Sequence, residues 1–319
     1  DKGSGGAYSF SGGLHGVGVS VTNALSTRLQ VTVCRDKQVA QLAFSGGDVI
    51  EPVAVRPAGS GDRKNGTTVR AWPDAKYFES AELPKNELVH MLRSKAVLMP
   101  GVTITLTNEK TGDVQTWLYK GGLRDYLSQT LAADPIIPMF EGEQYASGNE
   151  SENFAEGEGA AWCVAFTEEG APMRESYVNL IPTVAGGTHE AGLKDGLFNA
   201  VKSFSELHSW LPKGVKLMPD DVFSRASFVL SAKVLDPQFQ GQTKERLNSR
   251  DALRLVSTYV KPTMELWLNQ HVEFGKKLAE LVIKQAQARQ RAGQKVEKKK
   301  SSGVAVLPGK LTDCESRDI

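Results

Sequence analysis

Cysteine is scarce: Cys34, Cys163 and Cys314 are the three thiols in 319 residues, widely separated and odd in number. A disulfide framework needs paired cysteines and a zinc site needs closely spaced ligands, so the pattern fits reduced cytosolic thiols with structural or incidental roles. An excess of one charge is also missing. The 38 Lys and Arg stand against 37 Asp and Glu, for a formal net charge of +1, so the total argues neither for nor against a polyanionic partner. No run approaches the roughly 18 apolar residues of a membrane-spanning helix. The first six residues lack the charged-then-apolar layout of a signal peptide, and there is no initiating Met. The expectation is a soluble, cytoplasmic protein with no membrane partner, read from a cut chain.

What is present is ordinary globular material, 40% hydrophobic and 24% charged, over a length that suggests two domains. Apolar and small residues at helical spacing over 18–26 follow a glycine cluster and predict a helix launched from a loop. Alternation over 29–33 and 39–44, around Arg35-Asp36-Lys37-Gln38, predicts a hairpin. Further strands are expected at 67–72, 102–106 and 115–119, with an amphipathic helix at 86–98. The result is an α+β layered architecture with a mixed or antiparallel sheet. Gly121-Gly122 and the acidic, poorly hydrophobic stretch 141–159 mark a change of domain and an exposed loop. A second α/β unit follows, with strands at 161–167, 176–180 and 228–234. Between them Leu193, Leu197, Val201, Phe204 and Leu211 share one helical face. From Asp251 the chain reads as helical, ending in a long helix from 272 to about 300 whose last part is basic.

The residues richest in chemistry are Ser-Gly-Gly-Leu-His-Gly-Val-Gly at 11–18. Glycines let a backbone approach an anion closely, and the first turn of the following helix presents unpaired N–H groups, so a triphosphate suits the place. The pattern is neither a P-loop nor a Rossmann fingerprint. Its wording resembles the phosphate-binding lid of the GHKL ATPases in the version used by bacterial type IIA DNA topoisomerases.

Four later stretches are similar to the same proteins and occur in their order. Lys-Asn-Gly-Thr-Thr-Val-Arg-Ala-Trp-Pro at 64–73 resembles the strand beside the adenine. Ile-Pro-Thr-Val-Ala-Gly-Gly-Thr-His at 181–189 and Asp-Pro-Gln-Phe-Gln-Gly-Gln-Thr-Lys-Glu-Arg-Leu at 236–247 resemble the transducer. Leu-Pro-Gly-Lys-Leu-Thr-Asp-Cys at 307–314 resembles the bridge into the metal-binding cleavage domain. The wording at 177–182 and 236–247 looks more like the topoisomerase IV branch than the gyrase branch.

The resemblance implies a truncated GHKL-type ATPase α/β sandwich over 1–120 and a ribosomal-S5-like α/β transducer with a long C-terminal helix over 121–300. Residues 301–319 would start the linker. It implies an ATP site divided between the two domains, with Lys244 reaching the γ-phosphate as the catalytic lysine and Gln242 hydrogen-bonding the same group. Tyr8 matches the tyrosine near adenine and ribose. Gly12, Gly13, Leu14, His15, Gly16, Val17, Gly18 and Val19 match the lid, where His15 fits either a structural hydrogen bond or a ligand contact. Thr67 matches the threonine near the adenine, and Arg35 the rim arginine that meets aminocoumarin-type inhibitors. Implied partners are a DNA duplex, the DNA-cleaving A subunit and a second copy of the B subunit.

The cofactors implied are ATP and Mg2+, yet the family's catalytic glutamate, magnesium-binding asparagine and adenine-reading aspartate match no residue here. They are expected upstream, so residues 1–319 alone are expected to hydrolyse no ATP and to stay monomeric. The cleavage motifs are absent as well. The basic end of the last helix either lines a cavity for transported DNA or is a solvated face. Two functions therefore compete: an energy-transducing topoisomerase subunit, of the topoisomerase IV or the gyrase type, and a non-catalytic DNA clamp with a vestigial pocket.

Overall fold

A computed structural model describes Phe10 and residues 17–80, 82–149 and 153–302, without the side chains of 298–302. Contacts divide the chain into one unit ending at Tyr119 that also takes in Asn179–Ile181, and a second formed by Lys120–Val178 and Pro182–Ile319.

The first unit opens with α1 (Gly18–Ala24), followed by β1 (Ser26–Arg35), β2 (Gln38–Ser45), β3 (Asp48–Pro57) and β4 (Gly66–Pro73). They form an antiparallel sheet in the order β3-β2-β1-β4. The β1–β2 connection is a two-residue turn with Asp36 at φ 51° and Lys37 at φ 60°. Two left-handed residues give the turn the twist of its strands, so Arg35 pairs with Gln38 and the register follows down to Leu29 opposite Phe44. Val39 and Ala43 are buried on one face of the sheet and Leu29 on the other.

Strand β3 runs against its local sequence, because Pro52 interrupts its apolar run and proline removes a ladder donor. The structure accommodates it on the sheet edge, where the register slips between Gln41 and Ala43. After a 3-10 turn at Ala75–Tyr77 come α2 (Lys85–Leu98), which buries Ser94, Ala96 and Val97, and a hairpin of β5 (Ile104–Thr107) and β6 (Val114–Trp117).

From Lys120 the chain forms α3 (Gly122–Thr130), β7 (Phe140–Tyr145), β8 (Gly159–Phe166), β9 (Arg174–Val178), the short β10 (Ile181–Pro182) on which the division falls, α4 (Thr188–Leu207) and α5 (Pro219–Phe223). β11 (Ala226–Lys233), β12 (Phe239–Gln240), β13 (Arg246–Leu247), α6 (Arg250–Gln270) and α7 (Val272–Ser302) complete the second unit. The sheet runs β10-β9-β11-β8-β7, with β11 parallel to β9 and antiparallel to β8. Parallel neighbours need a crossover, and the 20 residues of α4 supply most of it.

One face of α4 buries Leu193, Leu197, Val201 and Phe204, while Leu211 lies beyond its end and is only partly buried. A second contact of α4 is set by Gly192 and Gly196 against α6: a Cβ at Gly192 would lie 2.4 Å from the Leu253 carbonyl oxygen. The two backbones meet where no side chain intervenes.

The expectation of an exposed loop over 141–159 holds for the described residues between Tyr145 and Gly159, which form no helix or strand, and needs correcting at its start. Phe140–Tyr145 is an edge strand paired with β8, Phe140 opposite Val164 and Tyr145 opposite Gly159. Phe140 is buried while Glu141 and Glu143, which alternate with it along the strand, are exposed, so the acidic composition belongs to the open side of an edge strand. Among the described residues no helix is long and apolar enough to cross a membrane.

Candidate functional site

Gln242 and Lys244 stand on the loop 241–245 that joins β12 to β13. The base of the loop is closed by pairing of Phe239 with Leu247 and of Gln240 with Arg246. Gly241 at φ 76° and Lys244 at φ 57° turn the chain back within five residues. A lysine in the left-handed region costs about 1–2 kcal/mol, which persists only where the surroundings over-determine the backbone.

Those surroundings are the segment 185–187. Ala185 N–H donates to Glu245 O at 2.9 Å, Arg246 Nη1 donates to Ala185 O at 2.9 Å and Leu247 N–H donates to Gly186 O at 3.0 Å. Gly187, at φ 144°, bridges to Leu247 so closely that a Cβ there would meet the Leu247 carbonyl oxygen at 2.4 Å. On the far side Asn248 N–H donates to Gln238 O at 2.7 Å and Gln238 N–H to Ser249 Oγ at 2.8 Å. Gln242 is exposed and Lys244 half-buried, so an exposed tip rides on a pinned base.

Under this segment lies a buried polar cluster whose members no motif had marked for a role. Thr183 Oγ1 lies 2.9 Å from His189 Nε2 and 2.7 Å from Ser176 Oγ, and Ser176 Oγ donates to Glu190 Oε1 at 2.6 Å. His189 has no exposed surface, and its Nδ1 lacks a partner. Burial, with a smaller push from the Arg246 charge, lowers its pKa to about 3, so the ring is neutral. Burial raises the Glu190 pKa, opposed by the Ser176 hydrogen bond and by Arg174 and Arg246. The one available signal was Gly-Gly-Thr-His standing directly before a helical pattern; Ser176, on a strand upstream of it, had none.

The other candidate residues belong to the first unit. Tyr8, Gly12, Gly13, Leu14, His15 and Gly16 lie outside the described residues. Val17 precedes α1 and accepts the Val21 N–H at 2.9 Å, while Gly18 and Val19 are in its first turn, all three exposed. Thr67 on β4 pairs with Val33 on β1, two positions before Arg35, so the structure brings Arg35 and Thr67 to the same end of neighbouring strands. The Arg35 side chain is 80% exposed, with Asp36 at 3.5 Å. Among the described residues no group of three or more His, Cys, Asp or Glu is arranged to hold a metal ion.

A family model described as DNA gyrase B matches residues 122–298. The B subunit of DNA topoisomerase 4 from Salmonella typhimurium is 46% identical over 313 residues, which are 98% of this chain and 48% of that protein. The chain thus spans about half the length of the curated relatives it matches. Among solved structures, the topoisomerase IV ATP-binding domain of Francisella tularensis, in complex with a small-molecule inhibitor, superposes with a TM-score of 0.70 at 36% identity, covering 88% of this chain and 75% of that one. The 43K ATPase domain of Thermus thermophilus gyrase B, in complex with an aminocoumarin, gives 0.73 at 26% identity, covering 91% and 76%.

Proposed function

Because the chain belongs to the DNA gyrase B family, we propose that it is the ATP-binding and transducing portion of the B subunit of a type IIA DNA topoisomerase, coupling ATP binding and hydrolysis to DNA strand passage. Its relatives favour the topoisomerase IV branch, which decatenates and relaxes DNA, since the Francisella structure shares 36% identity and the Thermus gyrase 26%. A DNA-cleaving A subunit, a duplex and a second B subunit are the proposed partners. Arg35, exposed at its strand end, is the proposed contact for an aminocoumarin.

The observation that carries the reading is the loop 241–245. It presents Gln242 and Lys244 on a base held by three hydrogen bonds and a close glycine approach. The ammonium of Lys244 is a compact charge suited to phosphoryl oxygens, and Gln242 offers an amide N–H to the same group. Donors fixed before the reaction stabilise the charge that develops on a transferred phosphoryl group without reorganising during it.

The test is Lys244→Ala in the full-length subunit assembled with its cleavage partner. ATP turnover is expected to fall by about 10²-fold or more, as for the loss of a preorganised charge donor, and DNA relaxation to fall with it. Unchanged turnover overturns the proposal and leaves a DNA clamp. Decatenation measured against negative supercoiling on the same assembly separates topoisomerase IV from gyrase.

A further inference from the structure

We propose that Thr183, oriented by His189 and Ser176, is a positioning residue for the loop 241–245. Its hydroxyl fixes the turn 183–186, and that turn fixes the backbone directly after Lys244. The proposal rests on the reading of Lys244 given above and extends it to residues that touch no substrate.

Thr183 is 2% exposed, and its hydroxyl is fully engaged. A threonine hydroxyl has one proton and two lone pairs. The proton goes to Ser176, whose carbonyl oxygen is at 2.9 Å and whose Oγ is at 2.7 Å. With that proton spent, Thr183 Oγ1 accepts from Nε2–H of His189 at 2.9 Å, an assignment that leaves Nδ1 as a bare acceptor and not as an orphaned donor. Ser176 in turn donates to Glu190 Oε1, so β9, the turn and the first residues of α4 meet at two hydroxyl oxygens.

The Thr183 backbone closes the turn. Its N–H donates to Ser176 O and its carbonyl accepts from Gly186 N–H, each at 2.9 Å. Ala185 and Gly186, held inside that turn, make the three hydrogen bonds to Glu245, Arg246 and Leu247. These are the three residues that follow Lys244 in the chain. A rotation of the turn therefore moves the far end of the loop, and the left-handed Lys244 is the residue beside the moving joint. Both hydroxyls of the cluster are bonded, and removing either one leaves buried partners without a bond and frees the turn that they hold. Misplacement of a catalytic group by about 1 Å costs rate far more than it costs binding.

The experiment compares Thr183→Val, which keeps the shape and removes the hydroxyl, with Thr183→Ser, which keeps the hydroxyl, both in the full-length subunit with its cleavage partner. For Thr183→Val, kcat for ATP is expected to fall about tenfold or more with KM changed less than about threefold, and Thr183→Ser is expected to stay within about twofold of the parent. In nucleotide-free protein, the Ala185 and Leu247 amides should exchange with solvent about tenfold faster in the valine variant and not in the serine variant. On a Lys244→Ala background, Thr183→Val should bring no further loss, because the two act through one contact.

Unchanged exchange at both amides, or an equal kcat loss on the Lys244→Ala background, overturns the positioning role. If Thr183→Val does not fold, Ser176→Ala is read by the same measurements with the same expectations. Full turnover in Lys244→Ala sinks the functional reading itself. Lost turnover in Lys244→Ala beside full turnover in Thr183→Val sinks only this inference.

Discussion

A histidine ring with no exposed surface and one unpartnered nitrogen is tolerated only while it is neutral. His189 has its pKa pushed down to about 3 from 6.5, by burial first and by the Arg246 charge second. Between those values the unfolded chain binds the proton and the folded one does not, so stability is full above about pH 6.5 and declines as pH falls toward 3. The limiting slope for one proton is about 1.4 kcal/mol per pH unit. Glu190 works in the opposite sense: its pKa is raised, so the stability it lends at low pH is lost as pH rises through its folded value. Comparing the parent with His189→Gln in urea melts between about pH 4 and pH 7 isolates the histidine. The variant should lose most of the acid-side slope, and an identical slope would show that the ring is not desolvated.

Helix α7 shows how one element is held by two different kinds of contact. Leu278, Leu281, Val282 and Ala286 bury its apolar seam, and every described residue from 291 to 297 is exposed. The boundary between these stretches is polar. Arg289 grips Asp221 in bidentate fashion, Nε to Oδ1 at 3.0 Å and Nη2 to Oδ2 at 3.1 Å, and Nη2 also donates to Lys216 O at 2.8 Å. Asp221 is 2% exposed while the Arg289 side chain is 41% exposed, so a full buried-pair penalty does not apply. Arg289→Ala is expected to cost about 1–2 kcal/mol, discounted for solvent at the arginine. Cleavage by a protease should quicken beyond Ala286. Unaltered proteolysis would mean that the apolar seam alone carries the helix.

The chain as a whole is nearly neutral, yet its charge is unevenly spread. Arg291 and Lys295 are exposed on the projecting part of α7, with Lys298, Lys299 and Lys300 following in sequence. Attraction to a duplex through such charges is independent of base sequence and is weakened by salt. In the complete subunit, Arg291→Glu with Lys295→Glu should flatten the dependence of log K for DNA on log salt by about 0.9 for each phosphate no longer neutralised, and should lower DNA-stimulated ATP turnover. An unchanged slope with unchanged stimulation assigns these charges to a solvated face.

Local periodicity and turn chemistry alone determined the β1–β2 hairpin, α2, α4 and the last two helices, because each is specified by neighbours within a few residues. Motif wording alone singled out Lys244 and Gln242. Strands β3 and β7 escaped because Pro52 and the acids at 141 and 143 contradict strand propensity locally, and only pairing with β2 and β8 outweighs that. The cluster of Ser176, Thr183, His189 and Glu190 was decided by tertiary structure alone. A hydroxyl on a strand reads as a solvent-facing group until folding removes water from it; once dry it must find a partner, and here the partners lie 7 and 14 residues away in the chain.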